Sequence, residues 1–211
     1  MYLVNSVFAS NFADKSGGGA AYVFNSRAVF VNSTFTDNGS NLNGGALSGE
    51  NSTINDYLGN YTANSASMGG AFFVESCNVT LNDTLLREND STRGGALFMG
   101  LARADSRVPG AFVGELNNIT AHSNFANAGI VLGAGYGGGL AAEGVNVTVV
   151  GGTWINNTAA AGGGAIDARG NSSLVLQSVS QMDQCTALSN TGGAVSHAEG
   201  GSHSNTYLLQ Q

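Results

Sequence analysis

Several carboxylates in this chain stand where paired acid chemistry could be built. Glu50 and Glu75 each lie six residues beyond the first glycine of a Gly-Gly doublet, Gly44 and Gly69 respectively. A repeating structure would therefore set them in one column. Glu143, Asp167 and Glu199 fall near the same phase after later doublets. Like carboxylates held close together can bind a cation, or raise one pKa so that one group serves as acid and the other as base. They can equally be separate, solvated surface charges. His122, His197 and His203 share no ligand spacing, and Gly135 to Gly139 lacks the lysine of a phosphate loop, so it reads as a corner.

The doublets that set this phase recur seven times: Gly18-Gly19, Gly44-Gly45, Gly69-Gly70, Gly94-Gly95, Gly138-Gly139, Gly163-Gly164 and Gly192-Gly193. Alanine follows each of them except Gly138-Gly139, which leucine follows. The intervals are 26, 25, 25, 44, 25 and 29 residues. A second motif runs in phase, a large apolar residue with asparagine three positions on: Phe8/Asn11, Phe35/Asn38, Tyr61/Asn64, Leu86/Asn89 and Trp154/Asn157. Two copies are degraded, with Ala121 before Asn124 and Cys185 after Met182. A constant period of 20–50 residues marks a stacked-repeat architecture.

Recurring glycine pairs and dense Asn, Ser and Thr disfavour helix. Between the doublets the apolar pattern has period two, as in Ala28-Val29-Phe30-Val31 and Val145-Asn146-Val147-Thr148-Val149, which predicts short strands. About 25 residues with two or three short strands fits one coil of a parallel β-helix, its layers about 4.8 Å apart. The expectation is one all-β domain over residues 1–211, of about seven coils. Each doublet sits at a corner, where φ is positive or a neighbouring coil leaves no room for Cβ. The Phe8, Phe35, Tyr61, Leu86, Trp154 and Met182 side chains fill the lumen as a column, and the asparagines stack as a ladder. The 44-residue interval predicts an inserted loop region at 100–137 within one coil, holding Arg103, Asp105, Arg107, Pro109 and Glu115. Cys77 and Cys185, about four coils or roughly 19 Å apart, are too distant for a disulfide, so two free thiols are expected, with Cys185 in the ladder.

Composition narrows the partners. Only 10% of residues are charged, Lys and Arg number seven and the net charge is −7, which excludes the basic face that nucleic acid needs. No apolar run approaches the ~18 residues of a membrane span. Neither end reads as a cap, so the chain is expected to be an excerpt of a longer protein.

Alternating Gly-Gly-Ala-[Ile/Leu/Val] and Phe-x-x-Asn motifs resemble the repeat of the chlamydial polymorphic outer-membrane proteins. Gly44-Gly45-Ala46-Leu47, Gly94-Gly95-Ala96-Leu97, Gly163-Gly164-Ala165-Ile166, Gly192-Gly193-Ala194-Val195, Phe8-x-x-Asn11 and Phe35-x-x-Asn38 fit strictly. Tyr61, Leu86 and Trp154 relax the aromatic position. Similar repeats occur in surface proteins of algae and other protists. The resemblance implies a right-handed, pectate-lyase-like parallel β-helix displayed extracellularly or at the cell surface (the outer membrane, if bacterial) and linked to adhesion. Its barrel domain is absent from this sequence.

The expected function is therefore a non-enzymatic adhesin-like passenger or stalk without a cofactor or metal. A glycan or protein ligand would bind on a lateral face or on the 100–137 loop. The runner-up is a polysaccharide lyase or hydrolase of the pectin-active type using Glu50, Glu75, Glu143 or Asp167. No Asn-Thr-Asp, Asp-Asp or Gly-His-Gly signature of the galacturonases occurs. In a secreted eukaryotic protein the sequons at Asn32, Asn51, Asn60, Asn78, Asn82, Asn118, Asn146, Asn156 and Asn171 would mark glycosylation sites. Asn38 and Asn89 also begin sequons but occupy inward ladder positions.

Overall fold

The computed structural model describes residues 1–101, 112–128, 135–189, 193–198 and 207–210. All regular structure among them is β, and every strand pair is parallel. The chain first lays down β1 (Tyr2–Val4), β2 (Val7–Ala9), β3 (Phe12–Ala13) and β4 (Ala21–Phe24). It then repeats the sequence with β5 (Arg27–Val31), β6 (Thr34–Thr36), β7 (Gly39–Ser40) and β8 (Leu47–Glu50). Each strand of the second pass pairs with its counterpart in the first. Later passes continue the same rotation. The result is an eight-stranded sheet 1 on β1 and β5, a seven-stranded sheet 2 on β2 and β6, and a seven-stranded sheet 4 on β4 and β8. Between sheets 2 and 4, the short strands of sheet 3 form a two-stranded and a four-stranded group.

Alternation along each strand decides what fills the centre. In sheet 1, Phe30, Leu81, Leu116, Val149 and Leu176 form one inward column. In sheet 4, Leu47, Phe72, Leu97, Leu140 and Ile166 form another. In sheet 2 the register Phe8–Phe35–Tyr61–Leu86–Ala121–Trp154–Met182 is unbroken. Phe8, Phe35 and Tyr61 stack at 4.7 Å with planes within 8° of parallel. All these columns belong to one hydrophobic core. Several periods yield four strands where two or three were expected, because sheet 3 adds one. In β3 and β7 that strand is only two residues long, too short to leave an apolar alternation. The pass through Thr53–Tyr57, Asn60–Thr62 and Phe72–Glu75 has three.

The two glycines of a doublet do different work. Gly18, Gly44, Gly69 and Gly94 have φ between 62° and 76°, the left-handed region that glycine enters at no steric cost. Gly19, Gly45, Gly70 and Gly95 have no such φ; a Cβ there would strike the backbone of the next layer, the Gly138 carbonyl in the case of Gly95. Gly164 is crowded in the same way by the backbone at Thr186. Gly163 lacks the positive φ, although a Cβ on it would meet the Ile166 carbonyl. Gly192 lies outside the described residues, and a Cβ on Gly193 would meet no atom of the described residues within 4 Å.

The fifth doublet lies one residue earlier than the spacing predicts. Leu140 pairs with Leu97 and Ile166, so Gly137 (φ 62°) and Gly138 are the doublet, and Gly139 takes the alanine position. The reason is Trp154. A Cβ on Gly139 would lie 2.8 Å from the Trp154 ring and 2.9 Å from the Ala165 carbonyl, so glycine replaces alanine where the column holds its largest side chain. Ala121, the smallest member of the column, sits in the adjoining layer.

The 100–137 stretch is not a loop throughout. Val113–Asn117, Thr120–His122 and Phe125–Ala126 take regular places in sheets 1, 2 and 3. Most of the extra length falls outside the described residues, as do Arg103, Asp105, Arg107 and Pro109.

Gly95→Ala is expected to cost more than about 2 kcal/mol in urea unfolding, and Gly193→Ala less than about 0.5 kcal/mol. Trp154→Ala should cost roughly 3–5 kcal/mol. Gly139→Ala should cost about 1–3 kcal/mol alone and less in a Trp154→Leu background, where the Ala165 carbonyl 2.9 Å away is the close neighbour left, a coupling that a double-mutant cycle measures directly.

Candidate functional site

The asparagine positions form a continuous hydrogen-bonded ladder at the corner between sheets 2 and 3. Asn11, Asn38, Asn64, Asn89 and Asn124 each donate from the backbone N–H and from Nδ2 to Oδ1 of the next layer's asparagine, at 2.9–3.1 Å. From Asn38 onward, Nδ2 also donates to the main-chain oxygen of the previous layer's column residue: Phe8, Phe35, Tyr61, Leu86 and Ala121. Asn38, Asn64, Asn89, Asn124 and Asn157 are at most 1% exposed. Cys185 ends the ladder, its Sγ 3.8 Å from Asn157 Nδ2 and 3.3 Å from the Trp154 carbonyl. The residue before each of these positions has positive φ, among them Asp37, Ala63, Glu88, Ser123 and Gln184. Propensity does not announce this strain at Ala63 or Glu88, so sequence reasoning missed it.

A lesser ladder occupies the corner between sheets 4 and 1. The Ser26 N–H donates to Ser52 Oγ, and the Ser52 N–H to Cys77 Sγ. Cys77 is buried, and burial foremost, with Glu50 and Glu75 adding to it, pushes its thiol up to about 11. Both cysteines are free.

The outward face of sheet 4 carries the candidate carboxylates. Glu50 and Glu75 are direct neighbours across strands, the next layer presents Gly100, and Glu143 and Arg169 follow. Glu143 pairs with Arg93 at 3.4 Å. Asp167, 1% exposed, is enclosed by Arg169, Ser196 and the Gly163 N–H. The Arg169 guanidinium lies 3.2 Å above the Tyr136 ring, and Arg93 approaches the same ring at 6.0 Å. Glu143 and Asp167 thus each have their own arginine, and the geometry joins strands to the segment at Tyr136 rather than opening a cleft. No group of three or more metal-binding side chains is found among the described residues. Glu199 and His203 lie outside them, as does the His197 side chain.

A carboxylate that sequence reasoning passed over lies in the core. Asp56 occupies the sheet 1 column between Phe30 and Leu81 and is fully buried. It accepts from Tyr61 Oη at 2.9 Å and Thr84 Oγ1 at 2.7 Å. Gly59 makes room, since a Cβ there would collide with the carboxylate. Burial raises the Asp56 pKa to about 6, partly offset by the hydrogen bonds from Thr84, Tyr61 and the Gly59 backbone. The signal was legible in retrospect: the column's aromatic residue is tyrosine in the one repeat that carries this inward aspartate.

The sequons follow from corner geometry. Asn32, Asn51, Asn118, Asn156 and Asn171 have φ of 46–64°, a region asparagine tolerates. The residue after each turns inward and is buried, and the Ser or Thr after that opens or precedes the next strand's outward face. Asn60, Asn78, Asn82 and Asn146 lie on strands instead. Nδ2 of Asn32, Asn118 and Asn156, the atom that would carry a sugar, donates to Asn5, Asp83 and Ser123.

Comparison with known proteins finds no matching family model, no matching curated protein and no matching solved structure.

Asn89→Asp keeps the shape and removes both Nδ2 donations, and should lower unfolding free energy by at least about 2–3 kcal/mol at pH 7. The pH dependence of Asp56 has a definite sign. Its folded pKa lies above the unfolded value of 3.8, so its contribution is full below about pH 4 and is lost as pH rises through about 6. Stability should fall by about 3 kcal/mol over that range. Asp56→Asn should flatten the slope in urea titrations, leaving the smaller same-sign contribution of Asp90, whose pKa burial also raises.

Proposed function

We propose that the cyclic strand order is a right-handed parallel β-helix of about seven coils, and that the chain is a non-enzymatic, surface-displayed passenger or stalk that presents its lateral faces for adhesion. Crossovers that join parallel neighbouring strands of the same sheet favour the right hand. The observation that carries the reading is the asparagine ladder, which ties successive layers from Asn11 to Asn157 with fully engaged amides. Such a scaffold holds its shape by nearest-neighbour contacts and so yields an extended rod. The outward positions of sheets 1 and 2 are rich in Thr, Asn, Ser and Val, a hydrated surface suited to contact with other molecules.

The lyase or hydrolase reading draws less support. Asp167 is enclosed and Glu143 is paired with Arg93, and Glu50 and Glu75, though adjacent, are not among the described residues that line the groove between Asn25 and Asn78.

Solution scattering should report a rod whose seven layers account for roughly 34 Å of length. Microspheres coated with the protein should adhere to cultured epithelial cells several-fold more than albumin-coated ones. Equal retention would reduce the role to a spacer. Release of unsaturated or reducing ends from polygalacturonate would overturn the non-enzymatic reading.

A further inference from the structure

Ser6, Ser33 and Thr84 hold equivalent places in the corner between sheets 1 and 2, with Gly59 between the last two. The Ser6 and Ser33 hydroxyls donate to the main-chain oxygen two residues back, Val4 and Val31, each at 3.1 Å. The Thr84 hydroxyl faces the Asn82 oxygen in the same way at 3.3 Å, but it also lies 2.7 Å from Asp56 Oδ2. A hydroxyl carries one proton and cannot serve both acceptors. A neutral carboxyl resolves the conflict. Asp56 then donates to Thr84 Oγ1, Thr84 donates to the Asn82 oxygen as its counterparts do, and Asp56 Oδ1 accepts from Tyr61 Oη at 2.9 Å.

Ionised, the same carboxyl would have no counter-charge. Phe30 and Leu81 flank it in the column, and among the described residues Tyr61 is the titratable group that faces it. Burial foremost, and the carboxyl beside it, hold that phenol well above its usual pKa, so it stays a donor. The charged groups on neighbouring strands, Arg27 on sheet 1, Arg87 on sheet 2, and Glu50 and Glu75 on sheet 4, project outward. A buried carboxylate so placed is costly unless it reaches water. The chain has a hinge beside it. Leu58, two residues on, is held at φ 59°, unfavourable for a bulky side chain, and is 57% exposed. Gly59 follows, and its N–H donates to the carboxyl. The corner therefore balances strain at Leu58 against hydrogen bonds to Asp56. Layers pack on both sides of it.

We propose that Asp56 holds a proton that it donates to Thr84, and that release of this proton to water swings the Leu58–Gly59 corner outward while the rest of the stack stays closed. The opening is local, unlike the change in overall stability. Its sign follows from a carboxyl that titrates higher in the closed corner than in the open one, so the corner is closed in acid and loosens as pH rises through about 6.

Amide hydrogen exchange followed by NMR, with protection taken relative to the intrinsic rate at each pH, tests the hinge. The Leu58 and Asn60 N–H groups donate to the Asn82 and Ser33 oxygens; at the matching corner farther along, the Gly151 and Thr153 N–H groups donate to Gln177 and Ile119. From about pH 4 to about pH 7, protection at Leu58 and Asn60 should fall at least about tenfold more than at Gly151 and Thr153. Asp56→Asn keeps a donor for Thr84 and an acceptor for Tyr61, and should shrink that difference to less than about twofold. An equal fall at both corners, no fall at Leu58 and Asn60, or an unchanged response in Asp56→Asn would overturn the proposal. The comparison of the two corners in the unmodified protein decides the matter by itself if the variant does not fold.

Discussion

The amide group of the ladder asparagines is the contact on which this architecture turns. A parallel stack brings a corner N–H and a corner carbonyl into the interior at every layer, where leaving either unpaired costs about 1–3 kcal/mol. Asparagine meets both demands with one short side chain. Oδ1 receives two donors from the preceding layer while Nδ2 serves the following asparagine and a backbone oxygen. The interior asparagines of the ladder are saturated in this way, so register is fixed at each layer rather than only at the ends. A one-residue slip would present the wrong side chain to the corner and also turn the apolar column outward.

Close approach is the second constraint, and it explains why glycine cannot be spared beside the ladder. The corner into sheet 4 needs a left-handed φ at Gly44, Gly69 and Gly94, then backbone-to-backbone contact at Gly45, Gly70 and Gly95. Alanine follows because the interior there is narrow; Ala46, Ala71, Ala96 and Ala165 are all fully buried. Departures from the repeat come in compensated sets. Trp154 appears with Ala121 and Gly139, and Asp56 with Gly59, Tyr61 and Thr84.

Much of this was legible in the sequence because the repeat aligns equivalent residues for the reader. The doublets, the column from Phe8 to Met182 and the ladder from Asn11 to Cys185 all follow from spacing alone. The two-residue strands of sheet 3, such as Gly39–Ser40, were not legible, since they carry no alternation. Nor were the left-handed corners at Leu58, Ala63 and Glu88, where tertiary contacts override local preference. The phase of the fifth doublet failed because three consecutive glycines, Gly137 to Gly139, offer two readings that only the pairing of Leu140 resolves. Among the carboxylates, spacing placed Glu50 beside Glu75 but gave no hint that Asp167 is walled in or that Asp56 faces the core.

The fit of Trp154 against Ala121 and Gly139 bears on how such a chain can evolve. Hydrogen bonding alone would let repeats be duplicated, deleted or exchanged like identical bricks, because every layer offers its neighbours the same corner chemistry. Side-chain volume does not permit that freedom. Deleting the Ala121 layer would seat Leu86 directly beneath the indole, while deleting the Leu86 layer would set Tyr61 over alanine. Unequal recombination is thus tolerated at some boundaries and resisted at others, and length variation among descendants should respect that pairing.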